Sequence, residues 1–141
     1  MSKTDVRTGY QQDLSPRETY ARLINRPDAI LIDVRTEAEW DYVGWPAVDQ
    51  LVNVAWQHYP EMTPNGEFVK EVEEIDPTKQ KEIYLICRSG VRSAEAASAL
   101  SRAGFTRCYN VAEGFEGDID NDGHRSMIGG WKRAGLPWRQ D

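Results

Sequence analysis

Cys87 ends the apolar run Ile83-Tyr84-Leu85-Ile86 and opens the stretch Cys87-Arg88-Ser89-Gly90-Val91-Arg92-Ser93, which leads into an alanine-rich segment. A cysteine attacks as the thiolate, and positive potential favours that form. This stretch offers such potential in two ways. Peptide N–H groups after Cys87 turn inward where the chain curls toward a helix beginning near Ser93, and a helix N-terminus adds partial positive charge. Arg88 and Arg92 add full charges and forked donors suited to an anion. Gly90 permits the positive φ that a tight cradle needs. A lone cysteine would read as a buried residue ending a strand before a solvated basic turn. Arginine, serine and glycine gathered around it at a strand-to-helix junction favour a reactive site.

Two chemistries use a thiolate in an anion cradle: cleavage of phosphate esters and transfer of sulfur. Loops of the tyrosine-phosphatase type resemble Cys-x5-Arg, often after a histidine, and need a carboxylic acid for the leaving group. Here four residues separate Cys87 from Arg92, Ser93 follows, and Ile86 precedes the cysteine. The shorter loop encloses less volume, which favours one added sulfur atom over a tetrahedral phosphate. A cysteine-dependent phosphatase or arsenate reductase is the nearest enzymatic alternative. A non-catalytic binding or regulatory module is the alternative from another class.

The elements that must position this loop alternate between short apolar runs and amphipathic segments. Ser15-Pro16-Arg17-Glu18 is a capping box with proline at the first helical position, predicting a helix to about Asn25. Ala29–Val34 reads as a buried strand, and Thr36-Glu37-Ala38-Glu39 as a second capping box opening a short helix through Tyr42. Gly44 and Pro46 break it. Gln50–Trp56 is the next strand, 57–65 is loop, and 66–75 is a helix carrying Phe68, Val69, Val72 and Ile75 inward. Lys81–Cys87 is the clearest strand. Ser93–Gly104 is the clearest helix, closed by Gly104, and 107–111 is a further strand. The tail after Asp118-Ile119-Asp120-Asn121-Asp122-Gly123-His124 is expected to form one more short helix around Trp131. This order predicts an α/β fold with a parallel sheet covered on both faces, whose sites lie at the carboxyl ends of the strands.

The 141 residues suit one domain, 1–141, with 1–13 as a polar N-terminal arm. A hydrophobic fraction of 40% with 28% charged residues is a globular balance, against disorder. The net charge of -6 speaks against nucleic acid or an anionic membrane as partner. The polar N-terminus lacks the apolar core of a signal peptide, so the expected location is the cytoplasm. In that reducing compartment Cys87 and Cys108 are expected to be separate thiols.

The segments Leu31–Trp40, Tyr84–Phe105 and Tyr109–Gly117, with the tail Gly129–Trp138, together resemble the rhodanese family, and in the family's order. The resemblance implies a rhodanese-like fold, with five parallel strands and helices on both faces, and no cofactor. It implies a sulfurtransferase in which Cys87 takes a sulfane sulfur from a small anionic donor such as thiosulfate, or from a protein persulfide. The Cys87 persulfide then passes its outer sulfur to a thiophilic acceptor, a thiol or cyanide. The amides of Arg88, Ser89, Gly90, Val91, Arg92 and Ser93 would cradle that persulfide. Asp33 and Arg35 match the family's Asp-Val-Arg. The resemblance sets Asp33 at a strand end, where it either fixes the loop's arginine or serine or caps the next turn, while Arg35 is expected to pair with Glu37 or Glu39.

The family's Gly-His-Ile-Pro-Gly-Ala is replaced by a stretch from Val43 to Trp56 that lacks the histidine and the second glycine. Trp45 and Trp56 are candidates for an aromatic wall near the site, although core packing is the commoner fate of tryptophan. Asp118, Asp120, Asp122 and Gly123 imitate the start of a calcium loop, but Gly129 stands where its terminal glutamate belongs. A solvated acidic loop is expected there. His58 and His124 have no metal-ligand spacing to a cysteine, so no metal is expected, and Cys108 reads as a small buried hydrophobe.

Overall fold

The computed structural model describes residues 9–140. In chain order the elements are β1 (Gln12–Leu14), α1 (Pro16–Asn25), β2 (Ile30–Asp33), α2 (Glu37–Val43), β3 (Trp45–Pro46), β4 (Leu51–Asn53), β5 (Gln57–His58), β6 (Thr63–Pro64), α3 (Phe68–Ile75), β7 (Ile83–Ile86), α4 (Val91–Arg102), β8 (Cys108–Val111) and β9 (Trp138–Arg139). Five strands form a parallel sheet in the order β1-β8-β7-β2-β4. It is an α/β fold with the five parallel strands that were expected, and with four helices among the described residues.

Side chains alternate across each strand and divide the core in two. Ile30 and Ile32 of β2 and Ile83 and Leu85 of β7 join Phe68 and Val72 of α3 and Ala96, Ala97 and Leu100 of α4. Leu31, Tyr84 and Ile86 face the other way, onto Leu23 of α1, Phe115 and Trp131. Every residue of β2 and β7 is buried, which is why these strands read as continuous apolar runs rather than alternating ones. Each aliphatic side chain buried there contributes ~1.5–3 kcal/mol, so the centre of the sheet is the firmest platform in the molecule.

Both N-caps sit where the sequence sets them, and the second closes as a full capping box. Ser15 accepts from the Glu18 N–H, and at α2 the bonds between Thr36 and Glu39 run both ways. Four details differ from the sequence reading. Gln12 and Asp13, read as part of a polar arm, belong to β1; an edge strand that buries only Leu14 carries no apolar signal. The first eight residues of that arm lie outside the described residues. A β5–β6 hairpin occupies the stretch read as loop. Helix α4 starts at Val91, two residues before the expected Ser93, because Gly90 takes up the N-cap. No helix forms around Trp131. Gly130 takes a φ of 101°, and the chain winds in turns that seat Trp131 in the core, its Nε1–H donating to the Pro137 carbonyl at 2.7 Å. It then pairs β9 with β3. No helix among the described residues is long and apolar enough to cross a membrane.

Candidate active site

The carboxyl ends of β2, β7 and β8 converge on Cys87, the residue after β7. The Gly90 N–H donates to Cys87 Sγ at 3.1 Å. Gly90 holds a φ of 105°, and a Cβ there would overlap the Ala112 carbonyl, so the turn requires glycine on both counts. The sulfur thus lies at the N-terminus of α4, a helix of 12 residues whose partial positive charge favours an anion.

Behind the sulfur is a buried polar chain. Ser93 Oγ is 3.2 Å from Sγ and donates to Asn110 Oδ1 at 2.5 Å. Asn110 Nδ2 donates to Asp13 Oδ1 at 3.0 Å and to the Gly90 carbonyl at 3.2 Å, two acceptors that fix which way the amide points. Asp13 Oδ1 also accepts from the Tyr10 hydroxyl at 2.6 Å. The Ser93 hydroxyl has one proton for two acceptors, so it can rotate to donate to Asn110 Oδ1 or to Sγ.

The loop is clamped from the far side by the glycine turn after β8. Phe115 N–H donates to the Cys87 carbonyl at 2.8 Å and Glu116 N–H to the Arg88 carbonyl at 2.9 Å. A side chain at Gly114 would meet the Arg88 and Cys87 carbonyls at 2.6 and 2.7 Å. The tail holds the turn in its place, with Trp131 N–H on the Gly114 carbonyl at 2.9 Å.

In front of Cys87 opens a cavity of about 570 Å³. Arg88, Ser89, Val91 and Arg92 line it with Thr36, Ala38, Glu39, Tyr42, Val43, Tyr59, Met62 and Glu116. Gly90 and Ser93 are buried behind the sulfur. Both arginines already have carboxylate partners. Arg92 forms a fork on Glu39, with bonds of 2.7 and 2.8 Å. Arg88 reaches Glu116 at 3.1 Å. Burial alone would raise the Glu39 pKa, but the Arg92 fork and the Thr36 donors outweigh it and hold the carboxyl below its ordinary value. Glu39 in turn raises the pKa of Arg92 against the opposing effect of burial.

Asp33 and Arg35 are both fully buried beside this loop, but they bond to each other rather than to it. Arg35 Nη2 lies 2.7 Å from Asp33 Oδ2 and 2.6 Å from the Gly44 carbonyl. Trp40 Nε1–H also donates to Asp33 Oδ2. The expectation that Asp33 fixes the loop's arginine or serine is therefore corrected: Glu39 holds Arg92 and Asn110 holds Ser93. The expected pairing of Arg35 with Glu37 or Glu39 is corrected too, because a buried guanidinium needs a buried carboxylate and Asp33 is two residues away. The Arg35 guanidinium also stacks on Phe115, 4.5 Å from the ring centroid, and braces the glycine turn.

Trp45 and Trp56 are not among the residues lining the cavity; Trp45 packs on Trp40 and Trp56 on Phe68 of the core. The aromatic lining is Tyr42 and Tyr59 instead. In the acidic loop, Asp120 Oδ1 accepts from the N–H groups of Asp122 and His124, forming a turn. No group of His, Cys, Asp or Glu among the described residues could hold a metal ion. Cys87 and Cys108 are free thiols. Sequence reasoning missed the sites of Glu39, Glu116, Asn110 and Asp13. Glu39 was visible as a cap, but its second bond spans 53 residues.

The profile of the Rhodanese-like domain matches residues 15–120. The uncharacterized protein RC0915 of Rickettsia conorii is 34% identical over 131 residues, covering 91% of this chain and 97% of its own. The thiosulfate sulfurtransferase GlpE of Actinobacillus pleuropneumoniae is 29% identical over 125 residues, covering 89% of this chain and 90% of its own. Among solved structures, the crystal structure of Rv0390 from M. tuberculosis superposes with a TM-score of 0.84 at 39% identity, covering 94% of this chain and 99% of that one.

Proposed function

The chain belongs to the rhodanese-like domain family, and from that premise we propose that it is a sulfurtransferase working through a persulfide on Cys87. The observation that carries this reading is the sulfur itself. Cys87 Sγ lies at the head of α4, receives the Gly90 N–H, and meets the base of an open cavity. In the first step the Cys87 thiolate attacks the outer sulfur of a donor such as thiosulfate or a persulfide. A bond forms between Sγ and that sulfur while the donor's sulfur–sulfur bond breaks, and the electron pair leaves with sulfite or a thiolate. In the second step a thiol or cyanide attacks the outer sulfur, and the pair of the breaking bond returns to Sγ. Neither step needs a general base at the reacting atoms, because a thiolate attacks and the leaving group is a weak base. The helix N-terminus, the Gly90 N–H and the rotating Ser93 hydroxyl favour negative charge on Sγ and on the sulfur added to it. No cofactor enters. The cytoplasm, a reducing compartment, suits two free thiols.

The fork between Arg92 and Glu39 supports this reading over phosphate chemistry, since a phosphatase loop needs its arginine free for the phosphate. The test is intact mass after treatment with thiosulfate or an organic persulfide, without reductant. The expected gain is about 32 Da on the native chain, discharged by cyanide and absent from Cys87→Ser. No gain from either donor on a reduced, folded sample overturns the proposal in favour of a binding module.

A further inference from the structure

Resting on that sulfur-transfer reading, we propose that the site is built for a singly charged sulfane donor with an apolar body, an organic persulfide or thiosulfonate, and discriminates against the thiosulfate dianion. Charge is the first argument. Among the residues lining the cavity, Arg88 and Arg92 are cancelled by Glu39 and Glu116, so the Cys87 thiolate leaves the cavity with a net negative charge. The Arg88 pair is a single bond of 3.1 Å to a half-exposed arginine, and the Arg92 pair is the firmer of the two. Arg92 and Glu39 meet through a forked pair of bonds, and Glu39 is held as well by the Thr36 N–H and hydroxyl at 3.3 and 3.1 Å. A dianion can recruit Arg92 only by breaking this cluster. Lys132, the other cation near Glu116, lies over the Trp138 ring, 4.1 Å from its centroid, and is not among the lining residues. The overall charge of -6 opposes a dianion further.

Shape is the second argument. A cavity of about 570 Å³ falls in the range that holds organic ligands, far more than one sulfur oxyanion fills. Its rim is apolar and projects into solvent: Tyr42 is 82% exposed, Val91 67% and Tyr59 66%, with Met62 and Val43 half-buried between them. Exposed side chains of this kind around a neutralised cavity fit an aryl or alkyl group on the donor. The atoms balance as they do for thiosulfate. A thiosulfonate gives its outer sulfur to Sγ as its sulfur–sulfur bond breaks, and a sulfinate leaves with the electron pair.

The test compares p-toluenethiosulfonate with thiosulfate in single-turnover loading of the native chain, followed by mass. Each rate is divided by that of the same donor with N-acetylcysteine, which removes intrinsic reactivity. The expected normalised preference is at least tenfold for the aryl donor. Glu116→Gln and Glu39→Gln should each raise the thiosulfate rate more than threefold relative to the aryl rate of the same variant. Tyr42→Ser with Tyr59→Ser should reduce the aryl preference. A normalised ratio of one or below, or glutamine variants without gain on thiosulfate, overturns the proposal. Protection of Cys87 from iodoacetamide by p-toluenesulfonate against inorganic sulfate reads the same selectivity without turnover. Protection by the sulfonate with no loading from either donor sinks the transfer reading alone; equal protection by both ions sinks the selectivity.

Discussion

The two cysteines occupy opposite ends of neighbouring strands. Cys87 follows the carboxyl end of β7, and Cys108 is the first residue of β8. Both are buried to the same degree, at 1% and 0% exposure, and both belong to the core layer under α3 and α4. Each also bonds a serine, Ser93 at Cys87 and Ser101 at Cys108, but the rest of their surroundings differs. Cys87 receives a backbone N–H, touches a serine hydroxyl that can rotate, and meets a cavity. Cys108 is enclosed by apolar side chains, and burial pushes its thiol pKa up to about 12 despite a bond with Ser101. Burial as such therefore does not decide reactivity. In a parallel sheet the helices that follow the strands direct their N-termini to the carboxyl edge, and only a thiol at that edge meets their positive ends.

The sharpest way to break the contrast is to exchange the roles. Cys87→Ser should abolish sulfur loading, and Cys108→Ser should leave its rate within twofold, measured by mass; loading on Cys108 would erase the distinction. Next in size is Gly90→Ala, where the added Cβ meets the Ala112 carbonyl in a left-handed backbone. Displacing the N–H from Sγ should slow loading about a hundredfold, and the strain should cost about 1–3 kcal/mol in urea unfolding. The third prediction concerns pH. The Cys108 pKa is raised on folding, so its stabilisation is complete below the unfolded value of about 8.5 and is lost as pH rises toward about 12. Between pH 7 and 10 the native chain should lose roughly 2 kcal/mol more than Cys108→Ala. Equal alkaline slopes for the two would remove the claim that Cys108 is sealed. The smallest effect is expected at Asn110→Ala, which takes away the acceptor that holds Ser93. One lost buried hydrogen bond of about 1.4 kcal/mol corresponds to a tenfold slower loading.

What could be read in the sequence was whatever depends on neighbours along the chain. Thr36 and Glu39 are three residues apart, so their capping box was legible before any fold was known, as were the runs that became β2 and β7. Cys87 and Gly90 are equally close, and their relation came from the types of residue between them. The tail was misread because the pattern around Trp131 fits one turn of helix as well as it fits winding turns, and docking against the Gly114 carbonyl chose between them. Strand β1 was missed because three residues at a sheet edge, two of them polar, leave no period to detect.

The parallel α/β class, the strand-to-helix loop around Cys87 and the glycine that the loop requires follow from the order of residues alone. Those are set by backbone sterics and hydrophobic period, which act over a few residues. Which charges face the sulfur depends on how the chain folds back on itself. Glu39 reaches Arg92 across 53 residues, Glu116 reaches Arg88 across 28, and Asp13 reaches Asn110 across 97. Such pairs depend on how strands are ordered in the sheet, and electrostatic partners at that range leave no trace in local spacing.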